Sequence, residues 1–236
     1  AKSKKYAVVF AGLSDDYESE AFDRENMKMP QGHLDMIDAV TSVNENVIVV
    51  LMCGSAIEID FEKEVKGILY TGLIGQAGGK AIVDLLFGKC VPSGKLAETW
   101  PYKYEDCISS SYSMNQKRDA HYREGLYVGY RYYLSANVKP RYAFGHGLSY
   151  TTFQYSDMKI NGNLVSCKIT NTGNYPGKEI VQLYIESDNK EFYRPKLELK
   201  GFKKVFLNPN ESKEVVFEIN DRTFAIYHKD WIIPNG

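Results

Sequence analysis

Along this chain the apolar positions obey two different rules, and the point where one gives way to the other divides it. Toward the N-terminus they come as unbroken runs. YAVVF at 6–10, ending at Ala11 and Gly12, NVIVVLMC at 46–53 and the run at 65–69 have strand length and no alternation, the pattern of short strands buried in a parallel sheet. Between the first two, Met36, Ala39, Val40 and Val43 recur at helical spacing, which predicts a helix over 32–43 that buries those side chains. Ala81, Ile82, Leu85 and Leu86 predict a second helix, closed by Gly88. From about Tyr155 onward the period drops to two. Val165, Cys167 and Ile169 alternate with Ser166, Lys168 and Thr170, and the pattern returns at Val181, Leu183 and Ile185 and at Val215, Phe217 and Ile219. Asn-Thr-Gly, Pro-Gly and Asn-Pro-Asn turns separate these segments, so they predict an antiparallel β-sandwich. The expected fold class is α/β with a mostly parallel sheet, followed by all-β.

Composition then removes several function classes. The 236 residues, 44% of them hydrophobic, suffice for one large domain or two modest ones. With 29 basic and 30 acidic residues the net charge is -1, so neither nucleic acid nor a membrane surface is expected as a partner. Cys53, Cys90, Cys107 and Cys167 are widely spaced, with no C-x-x-C and no histidine pair at ligand spacing, so no zinc, redox dithiol or cofactor is expected. Cys53 and Cys167 lie in apolar runs and read as small hydrophobes. No apolar run approaches ~18 residues, and the first ten lack the hydrophobic stretch of a signal peptide, so a soluble chain is expected, the cytoplasm being favoured over secretion. A chain that opens almost directly on a strand also reads as a fragment.

Chemistry concentrates in the loop after the first strand. Tyr17, Glu18, Ser19, Glu20, Ala21, Phe22, Asp23 and Arg24 put three carboxylates, aromatics and an arginine side by side. Burial and like-charge crowding raise a carboxyl pKa while a nearby arginine lowers it, so such a loop can hold one carboxyl group protonated beside an ionised neighbour, as a general acid requires. A solvated acidic loop with an internal Asp-Arg pair is the other reading. The loop lies at the carboxyl end of a strand, where ligands gather in open α/β sheets. The glycine-rich stretch at 70–79 is no phosphate loop: Ile74 stands where a first glycine is needed, and Lys80 is followed by alanine instead of Ser or Thr.

Several of these segments carry a resemblance. YESEAFDRENMKMP at 17–30 resembles the start of the second domain of family 3 glycoside hydrolases, where E-G-[FY]-D-R followed by a proline brings the acid/base glutamate to the active site. That resemblance makes Glu20 the acid/base candidate and Glu18 the runner-up, with Asp23 and Arg24 as substrate-binding or loop-shaping residues. Ala21 stands where the family has glycine, a departure that restricts the backbone angles of the loop. Residues 75–88, continued by VPSGKL at 91–96 and TWP at 99–101, resemble the family signature G-Q-x-G-G-x-A-x-x-D-x-L-F-G, read as a tight strand-to-helix turn with a fixed exit loop. YREGLYVGYRYY at 122–133 and RYAFGHGLSYTTF at 141–153 resemble later family segments, whose aromatics with Arg131 either line a cleft or cement a junction; His146 reads as structural. The alternating region, with LELKGFKKV at 197–205, resembles the family's fibronectin type III-like domain, which leaves Trp231 as a core or edge residue.

The resemblance implies a three-part organisation: a family 3 C-terminal α/β sandwich domain over 1–110, lacking its opening strands, an aromatic-rich connection over 111–154, and the fibronectin type III-like sandwich over 155–236. The implied activity is that of a β-glucosidase, retaining hydrolysis of terminal non-reducing β-D-glucosyl residues by two carboxyl groups ~5–5.5 Å apart. In this family the nucleophilic aspartate sits on a (β/α)₈ barrel, and no barrel segment is recognisable here. The implied partners are therefore a β-linked oligosaccharide or β-glucoside and a barrel domain in the same or another chain. A chain without the barrel is expected to be inactive alone. The alternative is a non-catalytic carbohydrate-binding or scaffolding module.

Overall fold

The structure is a computed structural model that describes every residue except 22–23, 112–120, 190 and 235–236. Its contacts divide the chain into two compact units that interleave in sequence: 1–83, 98–125 and 139–143 form the first, and 84–97, 126–138 and 144–236 the second.

In the first unit β1 (Ala7–Gly12), β2 (Val47–Met52) and β3 (Gly67–Tyr70) make a parallel sheet in the order β1-β2-β3. The central strand explains its unbroken apolar run, since Val47, Val49, Val50 and Leu51 are fully buried. The expectation of a buried first strand fails in part: among the described residues β1 is an edge that pairs with β2 alone, and it leaves Val8 42% and Phe10 49% exposed. Helix α1 (Gln31–Thr41) follows Pro30 and falls where a helix over 32–43 was expected, but the predicted buried face is corrected. Ile37 is its fully buried residue and Val40 is half-buried, whereas Met36, Ala39 and Val43 are exposed. The helix has two apolar stripes and packs against β1 and the 3₁₀ turn Asp60–Glu64, so only the stripe facing them is covered. Helix α2 (Gly78–Leu86) ends as the sequence predicts, with Gly88 at φ +69° donating its N–H to the Leu85 carbonyl at 3.0 Å.

In the second unit, after the short helix α3 (Tyr130–Ser135), come β4 (Phe153–Asn161), β5 (Leu164–Asn171), β6 (Gly177–Ile185), β7 (Glu198–Leu207) and β8 (Ser212–Glu218). They form two antiparallel sheets, β4-β5-β8 and β6-β7. Ile169, Val181, Leu207, Val215 and Phe217 make the core between them, and Cys167 and Leu183 pack against it as the alternation requires. Asn171, fully buried at the end of β5, satisfies its whole amide: its oxygen accepts from the Thr151 hydroxyl at 2.6 Å and Gly173 N–H at 3.1 Å, and its nitrogen donates to the carbonyls of Tyr175 and Leu207. After a short helix α4 (Asp221–Phe224), β9 (Ile226–His228) and β10 (Asp230–Ile232) form a hairpin, where Trp231 is an edge residue, 52% exposed, with its ring against Tyr227. The architecture is thus the α/β class followed by antiparallel strands.

Candidate active site

The parallel sheet sends the carboxyl ends of β1 and β2 to the same edge, and the acidic loop starts there. Gly12 ends β1 so close to its neighbour that a Cβ on it would lie 1.7 Å from the Met52 carbonyl oxygen. The chain leaves the sheet at once, with Leu13 N–H donating to that same carbonyl at 3.0 Å, and turns over the Ser14 carbonyl, which accepts from Tyr17 and Glu18.

Two side chains of the loop then return to the segment leaving β2. The half-buried Glu18 carboxylate accepts from Gly54 N–H at 2.6 Å. Arg24 Nη1 donates to the Ser55 hydroxyl at 2.6 Å and to the Ala56 carbonyl at 3.3 Å. Its Nη2 is buried and has no hydrogen-bond partner among the described residues. Between these attachments Glu20 is exposed and Ala21 has φ +71°, a left-handed conformation that strains any residue with a Cβ. The predicted Asp23 lies outside the described residues, as does Phe22. A cavity of about 510 Å³ opens beside the loop, lined by Asp15, Asp16, Tyr17, Arg24 and Lys28 among others.

Beneath the β2 exit lies a group the sequence reasoning passed over. Glu98 accepts from the indole N–H of Trp100, itself 2% exposed, at 3.2 Å, and from the backbone N–H of Ala56. Burial pushes the Glu98 carboxyl above its ordinary value against the pull of these two donors and Arg24, and the Glu18 charge adds to the rise. The signal was a lone carboxylate directly before Thr99-Trp100, inside an apolar motif. Burial, with help from Glu18, also pushes the Cys53 thiol up to about 12, and burial pushes the Tyr70 hydroxyl up to about 12, its ring standing edge-on to Trp100 at 5.1 Å. Neither is an available nucleophile at neutral pH.

The glycine-rich signature builds structure. A Cβ on Gly78 would meet the Ile74 side chain at 2.6 Å, so the entry to α2 needs that glycine. Further on, Lys95 donates to the Gly147 carbonyl at 2.7 Å and pairs with the buried Glu179 at 3.2 Å. Among the aromatics, Tyr130 stacks on Phe144 at 5.0 Å, meets Tyr184 edge-on, and accepts the Leu199 N–H at its hydroxyl, so it is engaged in packing within the second unit. The described residues contain no cluster of His, Cys, Asp or Glu fit to hold a metal, and no helix among them is long and apolar enough to cross a membrane.

Comparison with known proteins agrees with this architecture. The sequence profile of the glycosyl hydrolase family 3 C-terminal domain matches residues 1–150, and that of a fibronectin type III-like domain matches 179–236. The chain belongs to glycosyl hydrolase family 3. Its family 3 relatives include thermostable β-glucosidase B of Acetivibrio thermocellus, 47% identical over 247 residues that cover 100% of this chain and 33% of the relative. An exo-α-(1→6)-L-arabinopyranosidase of Bifidobacterium breve is 38% identical, again over 100% of this chain and 32% of its own length. The crystal structure of a GH3 β-glucosidase from Bifidobacterium adolescentis superposes with a TM-score of 0.92 at 39% identity, over 100% of this chain and 36% of that one. The chain spans about a third of the length of the curated relatives it matches.

Proposed function

We propose that this family 3 chain supplies the acid/base carboxylate of a retaining β-glucosidase, and that the carboxylate is Glu20. The observation that carries the reading is the unequal fate of the two loop glutamates: Glu18 is committed to Gly54, while Glu20 is exposed on the turn between Glu18 and Arg24. A proton donor must be able to reach the leaving oxygen of a sugar held by another surface, which a carboxylate spent on a backbone amide does poorly. Arg24, with a buried nitrogen that has no hydrogen-bond partner among the described residues and a place on the 510 Å³ cavity, would meet sugar hydroxyls or shape the loop, and Asp23 would share that task.

In the retaining mechanism a second carboxylate attacks the anomeric carbon and the acid/base group first protonates the departing oxygen, then activates water. The nucleophile would come from a (β/α)₈ barrel outside these 236 residues. The same architecture serves relatives named for a β-glucoside and for an α-L-arabinopyranoside, which supports placing the choice of sugar outside this part.

The test is a chimera in which this chain replaces the corresponding third of the Acetivibrio thermocellus relative. The chain alone is expected to turn over no aryl β-glucoside, and the chimera to hydrolyse β-glucosides with retention, read by NMR of the first-formed anomer. Glu20→Gln should lower kcat about 10²–10⁴-fold on an unactivated leaving group. Turnover by the isolated chain that Glu20→Gln abolishes, or a chimera indifferent to that substitution, would defeat the reading.

A further inference from the structure

The loop that carries Glu20 is fastened at both ends to one short stretch of backbone. We propose that Glu18 is a positioning residue: its carboxylate on Gly54, together with Arg24 on Ser55 and Ala56, closes the turn as a clamp that sets where Glu20 stands. The inference rests on the reading of Glu20 as the acid/base group, and it assigns Glu18 a task other than proton transfer.

Chain geometry gives the clamp its purpose. Glu18 and Arg24 attach to the neighbouring positions 54 and 55–56, so both ends of the turn are tied to one segment of backbone. Without those attachments the turn would be an exposed loop free to sample many positions, whereas a misplacement of about 1 Å in a reacting group can cost about 10²-fold in rate. The clamp residues suit the work. A carboxylate accepting a backbone N–H is a charge-assisted bond stronger than a neutral one, and Arg24 reaches two acceptors from one nitrogen. The receiving segment is itself held from below, where Ala56 N–H donates to Glu98 and Glu98 accepts from the buried Trp100 indole. Gly54 also lets the carboxylate come close, since a Cβ there would lie 3.3 Å from Glu18 Oε2 and 3.2 Å from Leu73 Cδ1.

The test reads amides of the 236-residue chain by NMR, without any glycosidase assay. Hydrogen exchange at Gly54 should be slow in the wild type and accelerate about tenfold or more in Glu18→Ala, the loss expected for one charge-assisted bond. Glu18→Gln keeps an acceptor oxygen at the same reach and should restore most of the protection, while Glu18→Asp, shorter by one methylene, should not. The amides of Glu20 and Ala21 should gain fast motion in Glu18→Ala and regain order in Glu18→Gln. If Glu18→Ala prevents folding, the Asp and Gln variants give the same comparison. Rapid Gly54 exchange in the wild type, or no change in Glu18→Ala, would overturn the clamp. Glu20→Gln should leave Gly54 exchange unchanged, so a failure of the acid/base reading would appear in turnover and a failure of the clamp in exchange.

Discussion

Replacing Lys95 by methionine isolates what the family signature contributes to the fold. Lys95 Nζ stands 3.2 Å from Glu179 Oε1, and the two side chains are only 17% and 9% exposed. At an effective dielectric constant near 20 their attraction is about 5 kcal/mol before the cost of removing both from water. Methionine keeps the apolar stem but deletes the ammonium group. Glu179 is then left with the Tyr155 hydroxyl at 3.2 Å, and the Gly147 carbonyl loses its 2.7 Å donor. Burial, followed by the Glu179 charge, pushes the Tyr155 hydroxyl well above its ordinary value, so it stays a donor and cannot replace a cation. A carboxylate stranded in this way costs about 3 kcal/mol. Because Glu179 lies on β6, urea unfolding should be followed by pulsed hydrogen exchange at the β6 amides, where a loss of that size moves the midpoint by about 1 M or more. Glu179→Gln alone should cost less, since the amide keeps its Tyr155 partner, and the double variant should recover most of the loss caused by Lys95→Met. A Lys95→Met loss below about 1 kcal/mol, or two losses that simply add, would refute the claim that this pair is a buried, coupled unit.

Two further outcomes follow from groups around the acidic loop. The folded state holds the Glu98 proton above its ordinary value of 4.5, so between that value and the raised one the native state binds more proton than the unfolded chain. Stability should therefore be full below the ordinary value and fall as pH rises through this window; Glu98→Gln should abolish the fall, and melting curves of the two proteins that stay parallel from pH 4 to pH 8 would contradict it. Ala21→Gly relieves a left-handed alanine, worth roughly 1–2 kcal/mol, against about 0.5–1 kcal/mol of added chain entropy, so the urea midpoint should rise slightly and a clear decrease would show that the turn is not strained.

How far the chain could be read in advance depended on the range of the interaction. Unbroken apolar runs, the helix stop at Gly88 and the alternation of β5, β6 and β8 reflect backbone periods that repeat within a few residues, so both parts of the architecture were legible along the line. The position of the glutamates was legible too, through a motif that is itself local. Which face of α1 is covered depended instead on what packs against it, β1 and the 3₁₀ turn at 60–64, with β1 at the edge of the described sheet. The different surroundings of Glu18 and Glu20, two residues apart, come from a backbone amide at Gly54 that Glu18 alone engages among the described hydrogen bonds, and Arg24 found its acceptors at 55 and 56. Glu98 gained its raised proton affinity from burial, against the pull of the Trp100 and Ala56 N–H donors. The amino-acid order by itself determined the elements and placed the carboxylates in one loop. Only folding decided which carboxylate is hydrogen-bonded to a distant amide and which is exposed, because burial and hydrogen-bond partners come from residues brought together across tens of positions of chain.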